Sequence, residues 1–182
     1  MRTLAALLVA AACARSSSPT EAAETPAHAE APMQALPPLP EDVLLQLFNR
    51  HTGQTWRIAL DGRYLVTPPG GVERQETPLS QLAPGQPVLP AGSLEHLREA
   101  LRSAGFFSLP ARLEGTLPSG PVVLPSGRGP FTPQAWAFSA RDGSRTATVE
   151  VTADPRVPST LGALAPLYAA LDQVALGDWR KR

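Results

Sequence analysis

The stretch from Ser93 to Pro110 constrains this chain more than any other. Leu94, Leu97, Ala100, Leu101 and Ala104 recur at spacings of three and four, along one side of an α-helix. Glu95, Arg98, Glu99 and Arg102 take the other side, where Glu95 with Arg98 and Glu99 with Arg102 are neighbours three residues apart. Ser93 is placed to cap the first turn, and Gly105 to take a left-handed conformation just past the last. Phe106, Phe107 and Leu109 follow at once, too apolar to remain in water. A helix of this kind must be covered on one side. The expectation is an amphipathic helix whose exit anchors a core, with β-hairpins before and after it in the chain packed on its apolar face.

Length and charge narrow the setting. The chain has 182 residues, enough for one domain plus extensions. Its 16 basic and 16 acidic residues give zero formal net charge, which leaves no basic footprint for nucleic acid. Aromatic residues make up 5%, so the core must be largely aliphatic. Cys13 is the single cysteine, which excludes an internal disulfide and any zinc-thiolate framework.

The N-terminus accounts for that cysteine. Arg2 precedes a short apolar run, Leu4 to Ala12, of signal-peptide length and too short to span a bilayer. Ala11-Ala12-Cys13 resembles a bacterial lipobox, which implies cleavage before a lipid-bearing Cys13 and makes residues 1–12 a signal peptide. Cleavage after Ala14 is the competing reading and would discard the thiol. By resemblance to lipoprotein sorting patterns, Ala14 after the cysteine implies the outer membrane, facing the periplasm or the surface. Residues 13–40 then form a tether, rich in Ala, Glu, Thr and Pro and too poor in apolar surface to fold alone.

The folded part is expected over residues 41–178, followed by a basic tail at 179–182. Val43, Leu45 and Leu47 alternate with Gln46 and Asn49 as in a strand, with a short helix started by Glu41 and Asp42 as the alternative. His51-Thr-Gly-Gln54 reads as a turn. Trp56, Ile58 and Leu60 share one face of a second strand, and Asp61-Gly62 turns the chain into a third, Arg63 to Thr67. Two long loops, Pro68 to Gly92 and Ala111 to Pro133, flank the organising helix. Trp136, Phe138 and Ala140 alternate, Asp142-Gly143 makes a second hairpin, and Ala147, Val149 and Val151 line the return strand. Thr146, Thr148, Glu150 and Thr152 are expected to face water. Ser159 to Leu176 closes the domain as a helix, with a kink or a start at Pro166. The fold class is α+β: an antiparallel sheet of about five strands in two hairpin or meander units, with two helices on one face.

No catalytic signature emerges. The three histidines lie on tail, turn and polar helix face, and no metal spacing or nucleophile elbow is present. His96 reads as a solvated helix residue and Ser126-Gly-Arg-Gly129 as plain loop, so neither a metal nor another cofactor is expected. Loops on a rigid scaffold are where binding residues concentrate. The candidate partner-binding residues are therefore His51, Thr52, Gly53 and Gln54 in the first turn, and Arg128 in the long loop, whose guanidinium can grip a carboxylate.

A family resemblance points the same way. A meander with a glycine turn precedes Gly105-Phe106-Phe107-Ser108-Leu109-Pro110, and a hairpin precedes Val157-Pro158 and a leucine-rich helix. In this order of elements, from Val43 to Leu176, the chain resembles the emfourin type of inhibitor of thermolysin-like metalloproteases. The resemblance implies protease inhibition. That family carries a glycine-rich stretch near its start, where this chain has only Gly53. The sequence thus suggests an outer-membrane lipoprotein that is not an enzyme and acts as an envelope protein-binding module. The alternatives are an inhibitor whose partner is a thermolysin-like metalloprotease and, second, a hydrolase with a site assembled from dispersed residues.

Overall fold

The computed structural model describes residues 32–70, 78–81, 85–114 and 133–176. Among these residues, six strands form one sheet: β1 (Val43–Asn49), β2 (Thr55–Ala59), β3 (Tyr64–Thr67), β4 (Arg112–Leu113), β5 (Gln134–Asp142) and β6 (Arg145–Ala153). Their order is β3-β2-β1-β5-β6-β4. Helix α1 (Ser93–Ser103) and helix α2 (Ala165–Leu171) share one core with the sheet. The α+β class is as expected, but the sheet is mixed rather than antiparallel. The sixth strand, β4, pairs in parallel with β6 through Arg112–Glu150 and Leu113–Val151. After α1 the chain runs along the free edge of β6, where the Glu150 amide donates to the Ala111 carbonyl at 2.8 Å.

Gly105 (φ 57°) releases the chain from α1, and Phe106–Ser108 form a single 3-10 turn. Phe106 is wholly buried among Leu45, Leu47, Trp56 and Ile58 on the sheet side and Leu97, Leu101 and Leu167 on the helix side. Phe107 meets it edge-on at 5.5 Å and is only partly buried. The first helix starts differently from the expected pattern. Gly92 (φ 81°) is the cap, and Ser93 turns inward and makes no capping bond. The closing helix is also shorter. Residues 158–164 wind as 3-10 turns broken at Gly162 (φ 55°), and α2 starts at Ala165 with Pro166 in its first turn. There the missing proline amide costs no helical bond. No helix among the described residues is long and apolar enough to cross a membrane.

Strand β1 is buried along its whole length, so both sides of the sheet are covered. On the helix side, the register shifts between Val43↔Ala59 and Leu45↔Ile58, which lets Leu44 and Leu45 both join the main core. On the other side, Gln46, Arg57 and Ser139 lie abreast and are each at most 2% exposed. Burial pushes the Arg57 guanidinium below its ordinary pKa, against the pull of the Asp42 carboxylate.

Part of this cover comes from residues assigned to the tether. The Gln34 amide donates to the Arg50 carbonyl at 2.7 Å, and Gln46 Nε2 donates to the Pro37 carbonyl at 3.3 Å. Leu39 packs on Val43, Ala59 and Leu79, while the Ser80 amide donates to the Asp42 carboxylate at 2.7 Å. The folded unit therefore extends upstream of Glu41. For the same reason the expected solvent face of β6 is only partly wet. Thr146 and Thr152 are exposed, whereas Thr148 shares a 2.8 Å hydrogen bond with Ser139 and Glu150 is half-buried. Leu60, expected in the core, sits past the end of β2 and is 42% exposed.

Candidate functional site

The strand directions sort the chain's turns to opposite ends of the sheet. Strands β1 and β2 meet at Arg50–Gln54, beside the end of β3 and the start of β5. The two Asp-Gly turns, Asp61-Gly62 and Asp142-Gly143, both fall at the opposite end. One end is closed on itself and the other is open.

The closed end holds the turn singled out in the sequence. Asn49 Oδ1 accepts from the amides of His51 (3.0 Å) and Thr52 (3.1 Å), and Asn49 Nδ2 donates to Gln134. The Gly53 amide donates to the Asn49 carbonyl at 2.8 Å, the Gln54 amide to Thr52 Oγ1 at 3.2 Å, and the Gly70 amide to the Thr52 carbonyl at 2.9 Å. Arg50 donates to Gln34 and, with both bonds at 3.0 Å, to the Glu150 carboxylate. Gly53 takes φ 72° and lies directly under the Gln34 side-chain amide, so a partner cannot approach its backbone. Gln54 is 8% exposed. The surface expected from four residues therefore narrows to His51 and Thr52. Arg128 lies outside the described residues, as do Cys13 with the expected signal peptide, most of the expected tether, and the basic residues 180–182.

At the open end, the C-terminal half of α1, the Asp142-Gly143 turn and Leu60, which precedes the other turn, frame a groove of about 360 Å³. Leu44, Leu101 and Phe107 give it apolar walls, and Leu60 stands at its edge. Arg98 and Arg102 reach it from α1, and Arg141, Asp142 and Gly143 from the end of β5 and its turn. On their other side, Arg98 pairs with Glu95 and Arg102 with Glu99, both exposed i,i+3 pairs of the kind that contributes little to stability. Arg141 differs: its Nε is buried and meets no acceptor among the described residues. Arg145 lies 4.8 Å from the Phe107 ring centroid and stiffens the groove's margin. Asp61, in the first turn, accepts from the Arg63 amide at 3.1 Å and from Arg63 Nε at 2.8 Å. That bonding holds the Asp61 carboxyl below the usual carboxylate range, slightly opposed by burial.

Among the described residues no three histidine, cysteine, aspartate or glutamate side chains converge as metal ligands. The groove instead gathers guanidinium donors, one carboxylate and apolar side chains. Such groups bind and orient a ligand. Sequence pattern assigns most of its residues to the helix, its exit and the turns but does not bring them together as a site, because Arg98 and Arg102 look like ordinary solvated helix charges. The available signal was topological: a meander puts both Asp-Gly turns at the same end, and Leu60 directly precedes one of them. Comparison with protein-family models, with curated proteins and with solved structures finds no match.

Proposed function

We propose that this chain is a lipid-tethered, non-catalytic protein-binding module of the cell envelope, and that it binds through the groove at the open end of its sheet. The observation that carries the reading is the groove's composition. Apolar walls are edged by three arginines, and one guanidinium nitrogen is buried and unengaged among the described residues. Arginine beside apolar and aromatic side chains is a composition favoured at protein interfaces. The tether rests on the sequence alone, on the apolar run that ends in Ala11-Ala12-Cys13. The inhibitor reading has less support, because it relies on a turn whose Gly53 and Gln54 are covered.

A photo-crosslinking residue at Leu60, in the native envelope, tests the binding site. One discrete partner is expected, lost when Arg141 is also changed to glutamine. Crosslinks that are absent, or indifferent to Arg141, overturn the groove assignment. Changing Cys13 to serine should move the protein from the membrane to the soluble fraction, and unchanged fractionation removes the lipid anchor. Slowing of a thermolysin-like protease, abolished by changes at His51 and Thr52 but not by Leu60→Glu, would establish the inhibitor reading in place of the groove.

A further inference from the structure

Building on that binding reading, we infer that the groove captures the C-terminal end of a partner protein whose last side chain is apolar. Size gives the first reason. The groove is an open space of about 360 Å³. The space suits one or two residues in extended form. It also lies at the lower end of the range for ligand pockets.

Charge gives the second. The apolar walls of Leu101 and Phe107 accept a side chain, and the edge beside them carries both signs. Arg141 and Arg102 offer donors that match the two oxygens of a free α-carboxylate. Asp142 offers an acceptor, which a backbone N–H satisfies. A fatty acid brings the carboxylate and the apolar group but no donor for Asp142. A cationic amphiphile brings a donor but opposes the arginines. The last residue of a protein chain brings all three groups within one unit, and capture of a terminal carboxylate is a recurring mode of peptide recognition. The Arg141 Nε is buried without an acceptor among the described residues, and Leu60 supplies apolar contact at the entrance.

Fluorescence anisotropy tests this with the full chain carrying Cys13→Ser and dye-labelled hexapeptides of glycine and serine that end in leucine, phenylalanine or valine. The free acids are expected to bind. The same peptides as C-terminal amides, or ending in aspartate, should bind at least about tenfold more weakly, since each lacks one matched group. Arg141→Gln should cause a similar loss. Leu60→Glu, at an exposed position where folding is not at stake, should do the same with an unchanged thermal midpoint. Equal binding of acid and amide overturns the inference, as does an absence of binding by all three acids. Decanoate binding that depends on Arg141, without peptide binding, overturns it in favour of an acyl carboxylate. If the peptides fail while Leu60 still crosslinks to one envelope protein, the chain-end assignment falls and the binding function stands. If both fail, both fall.

Discussion

The two ends of the sheet are built from similar material and used differently. At one end, the Asn49–Gln54 turn spends its polar groups on itself, with Asn49 alone accepting from two amides and donating to Gln134. A neighbouring segment then closes over it, so that Gly53 faces Gln34 instead of solvent. At the other end, the Asp142-Gly143 turn lines an open groove together with Leu60, which precedes the Asp61-Gly62 turn. Leu60 stays out of the core, and the Arg141 Nε is buried with no acceptor among the described residues. Polar residues in a turn can therefore be consumed by the turn itself. The groove proposed above differs in that the Arg141 Nε and the Leu60 side chain remain unspent among the described residues.

The largest effect expected from breaking this contrast comes from the adjacent phenylalanines, which divide core from groove. Phe106→Ala should cost about 3–5 kcal/mol, because its side chain is wholly enclosed. Phe107→Ala should cost less, about 1–2 kcal/mol, because its ring is only partly removed from water. It should nevertheless abolish peptide capture, since its ring walls the groove. Urea unfolding of both variants measures the difference. Equal costs would mean that the groove wall belongs to the core.

The glycines of the two ends make a sharper pair. Gly53 (φ 72°) and Gly143 (φ 58°) share the left-handed conformation. An added Cβ at Gly143 meets nothing within 4 Å, whereas at Gly53 it runs into the Gln34 amide. Alanine should cost about 1 kcal/mol at Gly143, the backbone strain alone. At Gly53 it should cost slightly more, because the far end of the flexible Gln34 side chain must also swing aside. The excess should vanish when Gln34 is also replaced by alanine. If the two single variants unfold at the same urea concentration, the strap contributes no closure.

What could be read in advance follows from how local each signal is. The helix at Ser93–Ser103, the left-handed Gly105, the two Asp-Gly turns and the alternation of Trp136, Phe138 and Ala140 are set within a few residues, and all are present. Strand β4 has two residues and no period to detect. Residues 32–40 share their prolines with residues 13–31, but Met33, Leu36 and Leu39 appear where the earlier stretch has Ser, Thr and Glu and no leucine or methionine. That change in composition is a local signal masked by the prolines, and Pro37, Leu39 and Pro40 are among the residues that settle on the sheet. Arg57 alternates like a solvent-facing residue, yet it is wholly buried for the same reason. The groove was hidden twice over. It is assembled from four separated segments, and its arginines look like surface charges until the chain's turns are placed in space.

The smallest expected effect concerns acid, and it tests whether the open end is preorganised by its own charges. The Arg63 guanidinium bonded to Asp61 lowers the Asp61 carboxyl pKa below its value in an unfolded chain. A group whose folded-state pKa is depressed contributes stability that is present above its unfolded pKa, about 3.9 for aspartate, and is lost as pH falls through the folded value. The pair is therefore intact at neutral pH and dissolves only below about pH 4. Asp61 is 52% exposed in its side chain, so solvent screens most of the interaction. The thermal midpoint should accordingly fall only slightly further below pH 4 in the parent than in Asp61→Asn, and the two should run parallel above pH 5. Peptide capture at neutral pH should weaken modestly in Asp61→Asn, because the turn that carries Leu60 loses its brace to Arg63. Identical acid profiles would mean that the pair adds nothing to stability. Unchanged capture alongside them would leave the Gly62 turn, with its φ of 88°, as what positions Leu60 at the edge of the groove.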